Sequence, residues 1–183
     1  METSSSSSSN TTTLPTTSAK KQWKAEEAIA GNTEALQALR ELITYPIYYS
    51  KQFRRIGKWR RGLLLHGPPG TGKTSLVRAV VRECDAHLIV ISPQSVHRAY
   101  VGEGERILRE AFAEAAAHSS GKPAVIFFDE IDAICPRGDS RREQGIHIVS
   151  QLVLLMDANK PSSTSRSQVV VVASTNRLQM LLF

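Results

Sequence analysis

The chain has 183 residues, of which 41% are hydrophobic and 22% charged, and its formal net charge is +6. These proportions are ordinary for one soluble globular domain. No segment of the sequence approaches the roughly 20 consecutive apolar residues that cross a bilayer, and the polar start lacks the basic and apolar regions of a secretory signal. We therefore expect no membrane partner and a cytoplasmic and/or nuclear location.

The excess of positive charge raises the question of a nucleic-acid partner. The basic residues cluster at 20–24, 54–61 and 137–142. Only Trp23 and Trp59 are interleaved with them, one in each of the first two clusters, which is fewer than the series of aromatic residues on which single-stranded bases stack. This arrangement favours a solvated surface, or one that faces a neighbouring subunit, over a nucleic-acid interface. A nucleic-acid-binding protein stays as a hypothesis, and it would require binding to DNA or RNA that weakens as the ionic strength rises.

The two cysteines, Cys84 and Cys135, lie in unrelated contexts without CxxC or Cys/His spacing. This pattern fits a reducing compartment and argues against a structural zinc site built on cysteines. Both are expected to be small buried hydrophobic residues.

The order of predicted elements indicates an α/β fold. The Ser/Thr-rich residues 1–22 predict a disordered tail, and residues 23–183 follow as the folded part. Apolar spacing predicts a helix over 34–43 that ends before Pro46. Beyond it, predicted strands alternate with helices: the strands are 62–66, 87–91, 124–128 and 168–173, and the helices 73–83, 103–118 and 143–156. Continuous apolar strands separated by helices predict a three-layer fold with a parallel sheet.

The loop after the first strand matches G-x-x-x-x-G-K-[ST] in its required context of strand, loop and helix. Backbone N–H groups of such a loop surround a phosphate, and the positive end of the next helix faces the same anion. Lys73 would neutralise the β- and γ-phosphates of ATP, and the Thr74 hydroxyl would bind Mg²⁺. The alternative is a Gly/Pro turn that merely carries a lysine. The residues assigned to phosphate binding are Gly67, Pro68, Pro69, Gly70, Thr71, Gly72, Lys73, Thr74 and Ser75.

Two later strands end in polar residues that suit the same chemistry. The apolar 124–128 run leads into Asp129, a candidate Mg²⁺ ligand, and Glu130, a candidate general base. The last strand leads into Asn176, whose amide would orient the attacking water. Each pattern alone also fits an ordinary turn at a strand end, and the phosphate-binding loop is what favours the catalytic interpretation.

Together these motifs resemble the AAA ATPases of the cell-division-cycle 48 / valosin-containing type. The resemblance covers about residues 28–177 and is carried by the lead-in "IAGNTEALQALRELITYP", the Walker A segment "GLLLHGPPGTGKT", the Walker B segment "FFDEIDAICPR", the next helix "IVSQLVLLMD" and the sensor-1 strand "VVVVASTNR". It implies a P-loop NTPase core with ATP and Mg²⁺ as cofactors.

The same resemblance implies a ring, usually hexameric, that pulls protein substrates through a central pore and serves protein remodelling and cell division. Ile29 and Gly31 would lie against the adenine. Tyr100 and Val101 would belong to the substrate-gripping pore loop, although Tyr100 also fits an ordinary exposed loop residue. The partners would be protein substrates and the other subunits of a homo- or hetero-oligomer. By resemblance, the cytoskeleton and the division apparatus are further locations.

The sequence departs from the family pattern at several positions. Ala30 replaces a glycine, Gly104 stands where serine is usual, and Arg60 stands where proline is usual. The segment 145–147, Gly-Ile-His, replaces Glu-Arg-Arg. The first two changes leave the phosphate chemistry intact, Arg60 would reshape the entry to the first strand, and the last change is expected to weaken contacts between subunits.

The largest departure follows Arg177, where the family continues with an arginine-finger segment, a fifth strand and a helical lid, and this sequence reads "LQMLLF". We therefore expect 23–183 to be the N-terminal part of an AAA domain that lacks the last strand and the lid. The strand at 62–66 would be an open, association-prone edge, and ATP turnover by the chain alone would be slow. The leading hypothesis is an ATPase subunit. The alternative is a truncated, hydrolysis-deficient nucleotide-binding module that modulates full-length partners.

Overall fold

A computed structural model of the chain describes residues 24–48, 62–97, 102–118, 122–134, 142–159 and 169–178, with the backbone alone at 46–48, 97 and 142–144. The predicted tail at 1–22 and the pore-loop residues Tyr100 and Val101 lie outside the described residues, as does Cys135. The division of the chain into tail and folded part therefore stays a prediction.

Helices and strands alternate through the described residues, after one turn of 3₁₀ helix at Ala25–Glu27. The strands are β1 (Gly62–His66), β2 (His87–Ile91), β3 (Ala124–Phe128) and β4 (Val169–Thr175). The helices are α1 (Thr33–Tyr48), α2 (Lys73–Glu83), α3 (Pro93–His97), α4 (Glu103–His118), α5 (Ile131–Ile134) and α6 (Arg142–Ala158).

The four strands form one parallel sheet in the order β1-β4-β3-β2. β3 and β4 occupy the centre and are buried along their whole length, as the continuous apolar runs predicted. Within the described part of the chain β1 and β2 are the edges, and there Leu64 and Val90 remain 39% and 41% exposed. The continuous apolar runs therefore predicted the burial of β3 and β4 correctly, whereas β1 and β2 are only partly buried.

Alternate residues of the strands serve two separate cores, one on each face of the sheet. Val125 and Phe127 of β3 pack with α1, α2 and the 3₁₀ turn, whereas Ile126 and Phe128 pack with α3, α4, α5 and α6. This alternation follows from the two-residue period of a strand. The predicted three-layer α/β class is confirmed.

The prediction that the first helix ends before Pro46 is wrong, because α1 continues to Tyr48. A proline in the last turn removes only one backbone hydrogen bond, so a short helical end beyond it is tolerable. One turn earlier the Thr44 hydroxyl donates to the Arg40 carbonyl at 2.7 Å, a contact that commonly accompanies helix bending.

Other boundaries differ by one or two residues. α6 covers 142–158 rather than 143–156, and β4 extends to Thr175 because Ser174 and Thr175 still pair with Leu65 and His66 of β1. The short helices α3 and α5 were not predicted, since four or five residues carry too little periodicity to be recognised. Among the described helices, none is both long and apolar enough to cross a membrane.

Candidate nucleotide-binding site

The polar segments predicted for the site meet at the carboxyl edge of the sheet. β4 lies between β1 and β3, so the residues that follow these three strands are brought together. His66 pairs with Thr175, and the Gly67 N–H donates to the Thr175 carbonyl at 3.3 Å, which places Asn176 beside the start of the glycine-rich loop. In parallel α/β sheets this edge is the usual place for a ligand.

The glycine-rich loop has a backbone that only glycine adopts easily. Gly70 and Gly72 have φ angles of 80° and 81°, in the left-handed region that is costly for other residues. Gly72 is the N-cap of α2 and no side chain caps the helix there. The N–H groups of the first turn are therefore left to face the loop, an arrangement that attracts phosphate.

The Lys73 ammonium lies over this loop. Its Nζ donates to the carbonyls of Gly67 and Pro68, both at 2.8 Å, and contacts the Thr71 hydroxyl at 3.3 Å. Thr71 in turn donates to the Pro68 carbonyl at 2.9 Å. These contacts hold a positive charge at the N-terminal end of α2, which is also the positive end of the helix dipole.

Thr74 and Asp129 are 55 positions apart in the chain yet in direct contact. The Thr74 hydroxyl lies 3.2 and 3.1 Å from the two carboxylate oxygens of Asp129. Thr74 belongs to the first turn of α2, and Asp129 directly follows β3. The contact joins the phosphate-binding loop to the neighbouring strand and gathers hard oxygen ligands of the type that Mg²⁺ prefers.

Ser174 is a member of the site that was not predicted as a functional residue. It is 1% exposed, its hydroxyl donates to Asp129 Oδ1 at 2.7 Å, and it accepts the Glu130 N–H at 3.1 Å. Glu130 has a φ of 53°, which is unusual for a residue with a side chain. Ser174 therefore orients Asp129 and supports the strained turn at Glu130. A serine inside an apolar strand was the only signal in the sequence.

A second buried hydroxyl supports the segment around Asn176. Thr175 is fully buried and donates to Asp132 at 2.8 Å, and it accepts the Arg177 N–H at 3.0 Å. Thr175 thereby ties the end of β4 to α5, the short helix that follows Asp129 and Glu130. The backbone on both sides of Asn176 is held in place by these contacts.

The lead-in segment is attached to α2 by an ion-pair network. Arg40 binds Glu83 through two hydrogen bonds of 2.8 and 3.1 Å, and Glu83 also accepts the Ala25 N–H at 2.7 Å. Burial raises the pKa of Glu83, but the bonds from Arg40 and Ala25 outweigh it and hold this pKa below its ordinary value. The network fixes α1 and the 3₁₀ turn that precedes the lead-in against the last turn of α2.

The predicted adenine contacts belong to this lead-in. Ile29 is partly buried and packs against the core formed by α1 and α2. Gly31 has a φ of 76° and nothing within 4 Å of the position of a Cβ, so its backbone is open to contact. Their role toward a base stays a prediction.

Cys84 follows α2, is half-buried and forms no disulfide bond within the described residues. Burial, assisted by the charge of Glu83, raises the pKa of its thiol to about 11. Cys84 is therefore a neutral thiol at physiological pH and not a reactive nucleophile, in agreement with the structural role expected from the sequence.

Residues 63–182 match the family model described as "ATPase family associated with various cellular activities (AAA)". The chain belongs to the AAA ATPase family.

Similarity to individual proteins points to the cell-division-cycle 48 branch. The chain is 65% identical over 166 residues to "Cell division control protein 48 homolog B" of Arabidopsis thaliana, which covers 90% of the chain and 27% of that protein. It is 42% identical over 153 residues to "Cell division cycle protein 48 homolog" of Archaeoglobus fulgidus, with coverages of 82% and 20%. It is 38% identical over 160 residues to the human "ATPase family gene 2 protein homolog B", with coverages of 87% and 21%.

These comparisons confirm the family resemblance found in the sequence. The chain spans 20% to 27% of the length of these three curated relatives. It therefore corresponds to one nucleotide-binding region of proteins that are several times longer.

Proposed function

We propose that the chain provides an ATP-binding and ATP-hydrolysing unit of a protein-remodelling machine that acts in cell division. The relatives are named for ATPase activity and for control of the cell-division cycle, which supports this function over a nucleotide-binding module without hydrolysis. The observation that carries the proposal is the contact of Thr74 with Asp129 at the uncapped N-terminus of α2.

In the proposed site the loop 67–72 surrounds the phosphates of ATP with backbone N–H groups. Lys73 exchanges its carbonyl contacts for β- and γ-phosphate oxygens, and the N–H groups of Lys73, Thr74 and Ser75 face the same anion. Attraction to the positive end of α2 adds to the charge of Lys73. Ile29 and Gly31 would bind the adenine.

Thr74 and Asp129 are the residues that would hold Mg²⁺. Their oxygens already converge, and Ser174 fixes the orientation of the carboxylate. When bound, Mg²⁺ would neutralise charge on the β- and γ-phosphates. The donor set is made of oxygens alone, so it fits Mg²⁺ better than a softer transition metal.

Hydrolysis is assigned to Glu130 and Asn176. Glu130 would take the proton from the attacking water as general base, and the Asn176 amide would orient that water. The two residues follow adjacent strands, β3 and β4, at the edge where the loop 67–72 lies. Thr175 and Ser174 support their backbone, so both side chains would be presented from a rigid frame.

An oligomeric partner is supported by an exposed apolar group on α6. Three large hydrophobic side chains of α6 are more than half exposed: Ile146 (54%), Val153 (53%) and Leu154 (64%). Exposed apolar residues that form a group mark interaction surfaces, whereas single ones do not. We propose that they contact another subunit of a homo- or hetero-oligomeric ring. We also propose that the machine acts on protein substrates, which Tyr100 and Val101 would grip. Its proposed location is the cytosol or the nucleus. The comparisons offer nothing in support of a cytoskeletal location.

The test compares the purified chain with two variants, Lys73→Ala and Glu130→Gln, by ATP binding in the presence of Mg²⁺ and by phosphate release. Lys73→Ala should lose binding by about a hundredfold, because a charge-assisted contact to the phosphates is removed. Glu130→Gln should keep binding and lose hydrolysis, since the amide cannot accept a proton.

The two outcomes that contradict the proposal are distinct. Equal ATP affinity for the parent chain and Lys73→Ala would show that the loop does not bind the phosphates. Equal phosphate release by the parent chain and Glu130→Gln, at full binding and above the rate without protein, would remove Glu130 from the reaction. Release that rises with protein concentration would support a contribution from a neighbouring subunit.

A further inference from the structure

Two histidines and a glutamate converge at the end of the sheet opposite to the nucleotide site. His87 is the first residue of β2, whose start is held by the hydrogen bond from the His87 N–H to the Pro123 carbonyl at 2.9 Å. Glu114 and His118 lie one turn apart near the end of α4, on one face of that helix. The three side chains thus come from two elements that the core already holds in place.

The geometry of this group is close. His87 Nε2 lies 2.9 Å from Glu114 Oε1, and the rings of His87 and His118 are stacked with centroids 4.0 Å apart and planes within 5°. One potential ligand atom from each of the three residues lies within 4.8 Å of the other two. Within the described residues this is the one group of at least three such side chains with that spacing.

The hydrogen bond of His118 defines which of its nitrogens is available. His118 Nδ1 lies 3.0 Å from the Glu114 carbonyl, which can only accept, so Nδ1 carries the proton and donates it. The lone pair is then on Nε2. A bond from the second ring nitrogen to a backbone carbonyl is the usual way in which proteins orient a metal-binding histidine.

We propose that His87, Glu114 and His118 bind Zn²⁺. Two imidazoles and one carboxylate are a ligand set that zinc adopts, with water in the remaining position. The oxygen-only ligands of Thr74 and Asp129 suit Mg²⁺, so the two sites select different ions. This inference does not depend on the proposed ATPase function.

The side chains must turn to close around an ion, because imidazole lone pairs lie in the ring planes and the planes of His87 and His118 are within 5° of parallel. Ligands of one Zn²⁺ lie roughly 3 to 4 Å apart, given metal–ligand distances of about 2 Å, so the widest separation must shorten by about 1 Å. The side chains of His87 and Glu114 are 33% and 50% exposed, which leaves them room to move and leaves the ion accessible to water. The bound ion would join β2 to α4.

Neighbouring cations do not compete for the carboxylate of this group. Arg106 of α4 pairs with Glu103 and Glu110, and Lys122 pairs with Asp85 at 2.6 Å. Within the described contacts the Glu114 carboxylate has only the His87 ring as a partner. Its negative charge is therefore available to offset that of a divalent cation.

The experiment uses the full chain without an affinity tag, freed of metal with a chelator and kept in excess Mg²⁺. Zn²⁺ binding is measured by calorimetry on the parent chain, on Glu114→Gln and on His118→Ala. His147→Ala is the matched control, because His147 is an exposed histidine on α6 outside the group. We expect about one Zn²⁺ per chain with micromolar affinity, and loss of a ligand should weaken binding by at least about tenfold.

A second measurement does not depend on the folding of the variants. In the parent chain and the His147→Ala control, Zn²⁺ at about a hundredfold excess over its dissociation constant should raise Tm by roughly 5 to 10 °C. Histidine NMR signals assigned to 87 and 118 should shift together at one equivalent.

Binding that is unchanged in both Glu114→Gln and His118→Ala would overturn the proposal, as would the absence of stoichiometric binding in the parent chain. Zn²⁺ that shifts the His147 signal rather than those of His87 and His118 would have the same meaning. A tenfold loss in both variants, with the control within about twofold of the parent, would establish the site.

Discussion

Replacement of Ser174 by alanine tests whether the buried hydroxyl positions the candidate Mg²⁺ ligand. The Ser174 hydroxyl donates to Asp129 at 2.7 Å and accepts the Glu130 N–H at 3.1 Å. Ser174→Ala removes a hydrogen bond to a charged group, worth about 1.5 to 3 kcal/mol. Water can replace the second bond because Glu130 is exposed. We therefore expect the free energy of unfolding to fall by about 2 kcal/mol.

The same change should weaken the response of ATP binding to Mg²⁺. Loss of a group that orients a metal ligand commonly costs about 10- to 100-fold in metal affinity. We expect the gain in ATP affinity caused by Mg²⁺ to fall by at least tenfold, while ATP affinity without Mg²⁺ changes little. Urea unfolding gives the stability, and fluorescent-nucleotide titrations with and without Mg²⁺ give the two affinities.

Two control variants accompany this test. Ser174→Thr keeps the hydroxyl and should retain most of the Mg²⁺ response. Ser95→Ala removes an exposed hydroxyl that donates to the Ser92 carbonyl at 2.7 Å and, within the described contacts, touches neither Asp129 nor Glu130, so it should leave that response unchanged. A Ser174→Ala protein that loses stability but keeps the full Mg²⁺ response would refute the positioning role.

Three further predictions concern backbone strain, pH and self-association. Gly72→Ala should lower the free energy of unfolding in urea by about 1 to 2 kcal/mol, because φ is 81° although nothing lies within 4 Å of an added Cβ; no loss would contradict the assigned strain. Glu83→Gln should cost about 1 to 3 kcal/mol by weakening the pair with Arg40. The pKa of Glu83 is lowered from its ordinary value of 4.5, so its contribution is present above that pH and is lost as the pH falls through the lower folded-state pKa. Stability of the parent chain, followed by circular dichroism on acidification, should therefore fall more steeply below about pH 4.5 than that of Glu83→Gln, and parallel curves would exclude Glu83 as the cause. Leu154→Asp should reduce self-association in sedimentation velocity, because Leu154 is 64% exposed on α6; an unchanged distribution of species would remove this residue from the interface.

The sequence was informative wherever the determining forces are local. The loop 67–74 could be recognised because its glycines, its lysine and the helix that follows are adjacent in the sequence. Glycine permits the left-handed φ angles of the loop, and the helix N-terminus attracts the phosphate. The 124–128 strand could be recognised because a run of five apolar residues has to be buried on both faces. The end of α1 could not be predicted correctly, because a single proline in the last turn is tolerated when the rest of the helix is packed.

The sequence by itself therefore determined the alternation of strands and helices, the α/β class and the candidate residues Lys73, Thr74, Asp129, Glu130 and Asn176. The tertiary structure alone decided the strand order β1-β4-β3-β2, and that order brings Thr74, Asp129 and Ser174 into contact. It also joined His87 to Glu114 and His118. Such contacts depend on which strands are adjacent and on their register, and these are settled by packing between distant segments, which local residue patterns do not encode.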